Sequence, residues 1–131
     1  MLSLTLPSVP DSISRAAEAV EVAVSTCGLS AEVVGRASLA VAEAVANAIE
    51  HGNRQLAYRH VELAITSLDE AVEVTICDGG EGVVARHLAT ASLPTDPMAT
   101  DGRGLYLIRV LSDDILVRDS CLRLTFRERE A

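Results

Sequence analysis

The stretch from Ala37 to Ile49 constrains this chain most. Across 13 residues it is apolar on every side except at Ser38, Glu43 and Asn47. A helix of that composition has almost no face suited to water and has to be buried on most sides. The carboxylate and the amide it carries then need partners, because an unbonded amide in apolar surroundings costs roughly 2–7 kcal/mol. Glu43, Asn47 and His51 follow one another at i, i+4 and i+8, drifting about 40° per step, and so form one polar stripe. A buried polar network, a helix edge reaching solvent and a ligand site are all readings of such a stripe.

The rest of the chain can supply the burial that this helix needs. Its 131 residues have the length of one domain, spanning 1–131, and 49% of them are apolar. Only Tyr58, Tyr106 and Phe126 are aromatic, so the core has to be built from Ala, Val, Leu and Ile. That scarcity removes the stacking platforms on which single-stranded nucleic acid is read. A net charge of −8 repels nucleic acid and anionic membranes, so neither is an expected partner. Every basic residue is Arg, which excludes a Schiff-base lysine and a Walker-type phosphate lysine. The start of the chain lacks the basic flank and apolar run of a signal peptide, and no stretch reaches the length of a membrane span. Cys27, Cys77 and Cys121 show no paired spacing for zinc or redox chemistry, and are expected to be reduced, small buried hydrophobes in a cytoplasmic protein.

Periodicity places the elements. Leu2, Leu4 and Leu6 alternate with polar residues and predict a short strand stopped by Pro7. Asp11 or Ser12 can cap a helix running to about Cys27, with Ile13, Ala16, Ala17, Val20 and Val24 on one side and Gly28 closing it. Ser30 starts the long second helix, which ends near His51–Asn53. Alternation over 61–66 and 72–76 predicts two strands joined by a turn at 67–70. Residues 89–101, rich in Ala, Thr and Pro, read as a loop. A third helix over 105–112 and two last strands, 114–118 and 122–127, complete the order β-α-α-β-β-α-β-β. This order implies an α+β two-layer sandwich, a mixed, mostly antiparallel sheet with helices on one face.

Two further segments carry polar groups in informative places. Val72, Val74, Ile76 and Asp78 share one phase, so Asp78 leaves its strand on the apolar side, and Gly79, Gly80 and Gly82 behind it permit close approach of a ligand. Asp78 capping its own turn is the structural alternative. Gly102-Arg103-Gly104 opens a helix, where free N–H groups and the positive dipole end receive phosphate, with Arg103 adding charge. His60 and His87 read as surface groups, and Arg109 as a surface ion-pair partner.

Taken in order, Glu43-Ala-Val-Ala-Asn47-Ala-Ile-Glu-His51-Gly52, Asp78-Gly-Gly80-Glu-Gly82 and Gly102-Arg-Gly104-Leu-Tyr-Leu-Ile-Arg109 resemble the N, G1 and G2 boxes of the GHKL ATP-binding superfamily, the Bergerat fold. Within it, the first and last strings look like the anti-sigma-factor serine/threonine kinases of bacterial partner switching. The resemblance covers nearly the whole chain.

What the resemblance implies is specific. Asn47 would ligate Mg²⁺, Glu43 would be the general base, and Asp78 would accept a hydrogen bond from the adenine amino group. Gly80 and Gly82 would pack beside adenine, while Gly102, Arg103 and Gly104 would face the phosphates. The chain would be a cytoplasmic anti-sigma factor that uses Mg²⁺ and ATP to phosphorylate a STAS-type anti-anti-sigma factor and otherwise sequesters a sigma factor. Arg15 matches the helix-1 arginine that family members present to protein partners, and a homodimer through the sheet or the first helix is compatible with the resemblance. Some members carry an arginine where Thr100 and Asp101 stand, and a Gly-Thr pair where Ser120-Cys121 stands. These departures motivate an alternative, a non-catalytic ATP-binding interaction module. A detached histidine-kinase catalytic domain is disfavoured because no phospho-acceptor helix precedes the motifs.

Overall fold

The computed structural model describes residues 1–52, 59–79 and 103–129, with only the backbone described at 51, 52, 103 and 104. In chain order the elements are β1 (Leu2–Pro7), α1 (Asp11–Thr26), α2 (Ala31–Asn47), a π-helical turn (Ala48–Gly52), β2 (His60–Leu68), β3 (Ala71–Cys77), α3 (Arg103–Leu111), β4 (Asp114–Arg118) and β5 (Cys121–Arg127). The strands form a five-stranded sheet in the order β1-β2-β3-β5-β4, and all four described pairings are antiparallel. The sheet is therefore antiparallel over the described residues, in keeping with the mostly antiparallel α+β sandwich that was expected.

Strand alternation sends one set of side chains towards the helices. Val61, Leu63 and Ile65 of β2, Val72, Val74 and Ile76 of β3, and Leu122, Leu124 and Phe126 of β5 are buried in one continuous core. The register aligns them, with Leu63 opposite Ile76, Val74 opposite Leu124 and Val72 opposite Phe126. From the helical side α1 contributes Ala16, Val20 and Val24, and α2 contributes Val33, Ala37, Ala40, Val41, Ala44 and Val45. Small residues dominate this list, which lets α2 lie close to the sheet while packing between α1 and α3. The opposite face of the sheet carries Glu73, Thr75 and Cys77 on β3 and Cys121 and Arg123 on β5.

Helix boundaries follow local chemistry. The Ser30 hydroxyl caps α2 by accepting from Val33 N–H at 3.4 Å and pairs with the Glu128 carboxylate. Gly28 closes α1 at φ +81°, in the left-handed region that favours glycine. The start of α1 differs from expectation: neither Asp11 nor Ser12 caps it, Pro10 occupies the N-cap, and the buried Ser12 hydroxyl instead donates to the Pro7 carbonyl at 2.6 Å. The cysteine expectation is overturned too. Cys77 and Cys121 are joined in a disulfide across β3 and β5, and Cys27 is exposed at the end of α1, 2.6 Å from the Ser67 hydroxyl. Their separation of 44 residues hid the pairing, which only the strand register creates.

Candidate functional site

The buried guanidinium of Arg36 fixes how the polar stripe of α2 is aimed. It donates to the Leu111 carbonyl at 3.0 Å, to Asp113 Oδ2 at 3.0 Å and to the Arg127 carbonyl at 2.6 Å, and its Nε pairs with Glu32. The first half of α2 is thereby tied to the C-terminal end of α3 and to the end of β5. The second half, with Glu43 and Asn47, lies towards the opposite end of the sandwich. Sequence reading passed over Arg36; its place on the apolar phase of α2, between Val33 and Ala40, was the available signal.

Burial along α2 follows its composition. Val41, Ala44, Val45, Ala48 and Ile49 are buried, whereas Ala42, Glu43, Ala46 and Asn47 are half-buried along one strip. Glu43 and Asn47 thus stand one helical turn apart on a surface of small side chains. Immediately after Asn47 the helix widens into the π turn at Ala48–Gly52. Such single turns recur at functional sites because they re-aim the side chains beside them.

Asp78 follows β3 and continues its inward phase. Its relative exposure is 9%, and its N–H donates to the Ser120 carbonyl at 3.2 Å, which extends the β3–β5 ladder by one pair. A carboxylate delivered to the helix-facing side of a sheet is costly unless it is bonded. The topology brings Asp78 to the end of the sheet where β2 begins, since Glu62 of β2 lies opposite Cys77. The α2 helix packs directly on β3, so the elements bearing Glu43, Asn47 and Asp78 share one interface.

The remaining sequence-designated residues divide into two groups. Gly80, Gly82, Thr100, Asp101, Gly102 and His87 lie outside the described residues, as do the side chains of His51 and Arg103, and Gly104 is described by its backbone trace alone. The backbone of α3 does begin at Arg103, so the Gly102-Arg103-Gly104 string spans a helix start, as its spacing implies. Arg15 is exposed on α1 and lines a largely apolar groove of about 650 Å³ between α1 and β1, with Leu2, Leu4, Glu18 and Val22. Among the described residues no cluster of His, Cys, Asp and Glu forms a ready metal cage, and no helix is long and apolar enough to cross a membrane.

The half-buried strip with Glu43 and Asn47 thus lies on a helix that packs against β3, the strand followed by the buried Asp78. The family profile described as "Histidine kinase-like ATPase domain" matches residues 6–127, and the chain belongs to that family. It is similar to the serine-protein kinase RsbW of Oceanobacillus iheyensis, at 23% identity over 124 residues, covering 90% of this chain and 78% of that protein. It is also similar to the serine-protein kinase RsbW of Listeria monocytogenes, at 25% identity over 120 residues, covering 87% of this chain and 76% of that protein. Among solved structures, the histidine kinase domain of the Erythrobacter litoralis EL346 blue-light activated histidine kinase aligns with a TM-score of 0.48 and 19% identity. That alignment covers 92% of this chain and 59% of the other.

Proposed function

We propose that this protein is an anti-sigma factor with Mg²⁺-ATP-dependent serine/threonine kinase activity, acting on a STAS-type anti-anti-sigma factor and sequestering a sigma factor when that antagonist is phosphorylated. The observation that carries the reading is the pairing of Glu43 and Asn47 on one half-buried strip of α2, beside a strand that ends in the buried Asp78. Similarity to two serine-protein kinases over most of the chain supports the choice of protein substrate.

The donor set fits the groups that the family implies. An amide oxygen and a carboxylate one turn apart are hard ligands suited to Mg²⁺, which keeps several waters and phosphate oxygens in its shell. Asn47 would hold the ion, which when bound neutralises charge on the transferring phosphate. Glu43 accepts the proton of the substrate hydroxyl. Asp78 orients the adenine amino group, with Gly80 and Gly82 allowing its close approach. The N–H groups around Gly102 and Gly104, with Arg103, would receive the phosphates. This is phosphoryl transfer by positioning and electrostatics, and it needs no lysine. The product gains roughly −1.5 to −2 charge, which an acidic kinase would release.

The alternative, a non-catalytic ATP-binding interaction module, draws support from Cys121, which is held in a disulfide at the place where the resemblance implies a Gly-Thr pair. Incubation with labelled ATP, saturating Mg²⁺ and the STAS antagonist separates the two readings. Label on a Ser or Thr of the antagonist is the expected result, and nucleotide binding without transfer would favour the module.

A further inference from the structure

The Cys77–Cys121 disulfide sits one residue from the candidate adenine-binding carboxylate on one strand and one residue from its backbone partner on the other. Cys77 is the last residue of β3 and Cys121 the first of β5, and they face each other in register with their Cα atoms 4.1 Å apart. The next pair outward, Asp78 and Ser120, is hydrogen-bonded through Asp78 N–H and the Ser120 carbonyl at 3.2 Å. Antiparallel ladders alternate hydrogen-bonded and non-hydrogen-bonded pairs, so the cysteines occupy a non-hydrogen-bonded pair, where side chains come closest. The disulfide therefore stands where the backbone itself supplies no cross-strand bond, one pair in from the Asp78–Ser120 hydrogen bond.

That position is open to reagents. Cys77 and Cys121 project to the sheet face away from the helices and are half-buried. Cys121 lines a shallow pocket of about 180 Å³ with Leu116, Arg118 and Arg123. Arg118 and Arg123 bring two guanidinium groups to this pocket, and the thiolate is the reactive form in exchange. Asp119 partly offsets that charge, and Arg123 is shared with Glu73 at 3.3 Å. Asp78 points the other way, into the helix-facing layer, so the redox chemistry and the candidate ligand site lie on opposite faces of the same two strand ends.

We propose that this disulfide is a redox latch on nucleotide binding. Oxidised, it holds the ends of β3 and β5 together and keeps Asp78 preorganised; reduced, it leaves the Asp78–Ser120 hydrogen bond as the terminal tie, and the strand ends fray. The inference rests on the reading of Asp78 as a nucleotide-binding residue. The reagent class is a low-molecular-weight disulfide such as glutathione disulfide. One cysteine thiolate attacks it, expels a thiolate and forms a mixed disulfide; the second cysteine attacks the protein-side sulfur and expels the other thiolate. The protein pair loses two electrons, the small disulfide gains them, and the two cysteine protons pass to the departing thiolates. A dithiol reverses the sequence.

The test titrates Mg²⁺-ADP into full-length protein in two states. One is treated with glutathione disulfide and shows at most one free thiol, that of Cys27; the other is reduced with dithiothreitol and shows all three thiols. Reduction is expected to weaken ADP binding about tenfold, the scale on which preorganisation acts. The double variant Cys77→Ser with Cys121→Ser is expected to bind like the reduced wild type and to ignore reductant. Equal affinity in the two wild-type states overturns the latch while leaving the nucleotide reading intact. Three free thiols after glutathione disulfide treatment also overturn it. Absence of ADP binding in both states overturns the nucleotide reading, and the latch with it. The wild-type comparison stands even where the double variant fails to fold.

Discussion

Arg36 on α2 donates to Asp113 Oδ2 at 3.0 Å, joining a helix to the start of β4 across 77 residues of chain. Asp113 also accepts from the Arg127 N–H at 2.8 Å and from Arg129 Nε at 2.9 Å, and Arg129 reaches the Val110 carbonyl at 2.9 Å. Burial works against the charge of Arg36, yet hydrogen bonds to Glu32 and Asp113 outweigh it and hold its pKa above the ordinary value. This network sets the end of α3 and the direction of α2, and hence the placement of Glu43 and Asn47.

Truncating Arg36 should be costly. Arg36→Ala removes one partner of a buried pair and strands the carbonyls of Leu111 and Arg127, and breaking such a pair costs about 3–5 kcal/mol. Urea unfolding is the measurement. A loss of less than about 1 kcal/mol, the value of a surface ion pair, would show that Arg36 does not organise the helices.

Acid should expose the same network. Burial pushes the Asp113 carboxyl up, but its bonds to the Arg127 backbone, Arg129 and Arg36 outweigh this and hold its pKa below the usual carboxylate value. A carboxylate depressed on folding stabilises the protein fully above its unfolded pKa of about 3.9. That stability drains away as pH falls from there through the lower folded value. Asp113→Asn is therefore expected to be less stable at neutral pH and to show a flatter stability curve below about pH 4. Parallel curves for wild type and variant would contradict this.

Backbone conformation gives a cleaner pair of substitutions. A Cβ built at Gly28 meets no atom within 4 Å, so any penalty of Gly28→Ala comes from its φ of +81°. The left-handed region costs an L residue roughly 1–2 kcal/mol. Glu70 already adopts φ +58° in the β2–β3 turn, so Glu70→Gly relieves a penalty of the same kind. Less the extra entropy of glycine, the expected gain is up to about 1 kcal/mol. Thermal unfolding should place the two variants on opposite sides of wild type; a shift of both in one direction would contradict the argument.

Much of this architecture is legible in the chain because it is local. The period-two runs of β2 and β3 aim Asp78 inward, Ser30 marks the start of α2, and Gly28 marks the end of α1. The apolar character of residues 37–49 foretells the burial of Ala37, Ala40, Val41, Ala44, Val45, Ala48 and Ile49, with Glu43 and Asn47 on a half-buried strip, whereas Leu39 is exposed. What escaped is what register and packing create. Cys77 meets Cys121 only once β3 and β5 are aligned, and Arg36 is buried only because the α3–β4 corner folds back onto it. The Pro10 N-cap escaped for a different reason: Ser12 spends its hydroxyl on Pro7, a contact set by how β1 turns into α1.

Arg15 offers a test of the partner surface. It is exposed on α1, at the rim of the apolar groove against β1. Arg15→Ala should unfold and bind ATP like wild type, yet lose affinity for the sigma factor or the antagonist. Truncating a desolvated charged contact at an interface costs roughly 2–5 kcal/mol, which a titration resolves easily. Unchanged affinity for both partners would make Arg15 an ordinary surface residue.

Glu43 is where the proposed kinase activity is tested most sharply. Transfer of label from ATP to the STAS antagonist is followed for wild type and Glu43→Ala, with ATP affinity titrated on the same preparations. Loss of a general base lowers the rate by about 10²–10⁴-fold, so transfer should nearly vanish while ATP affinity stays within a few-fold. Transfer by Glu43→Ala at the wild-type rate would contradict the catalytic role of this residue, and a wild-type protein that binds ATP but transfers no label would contradict the kinase itself.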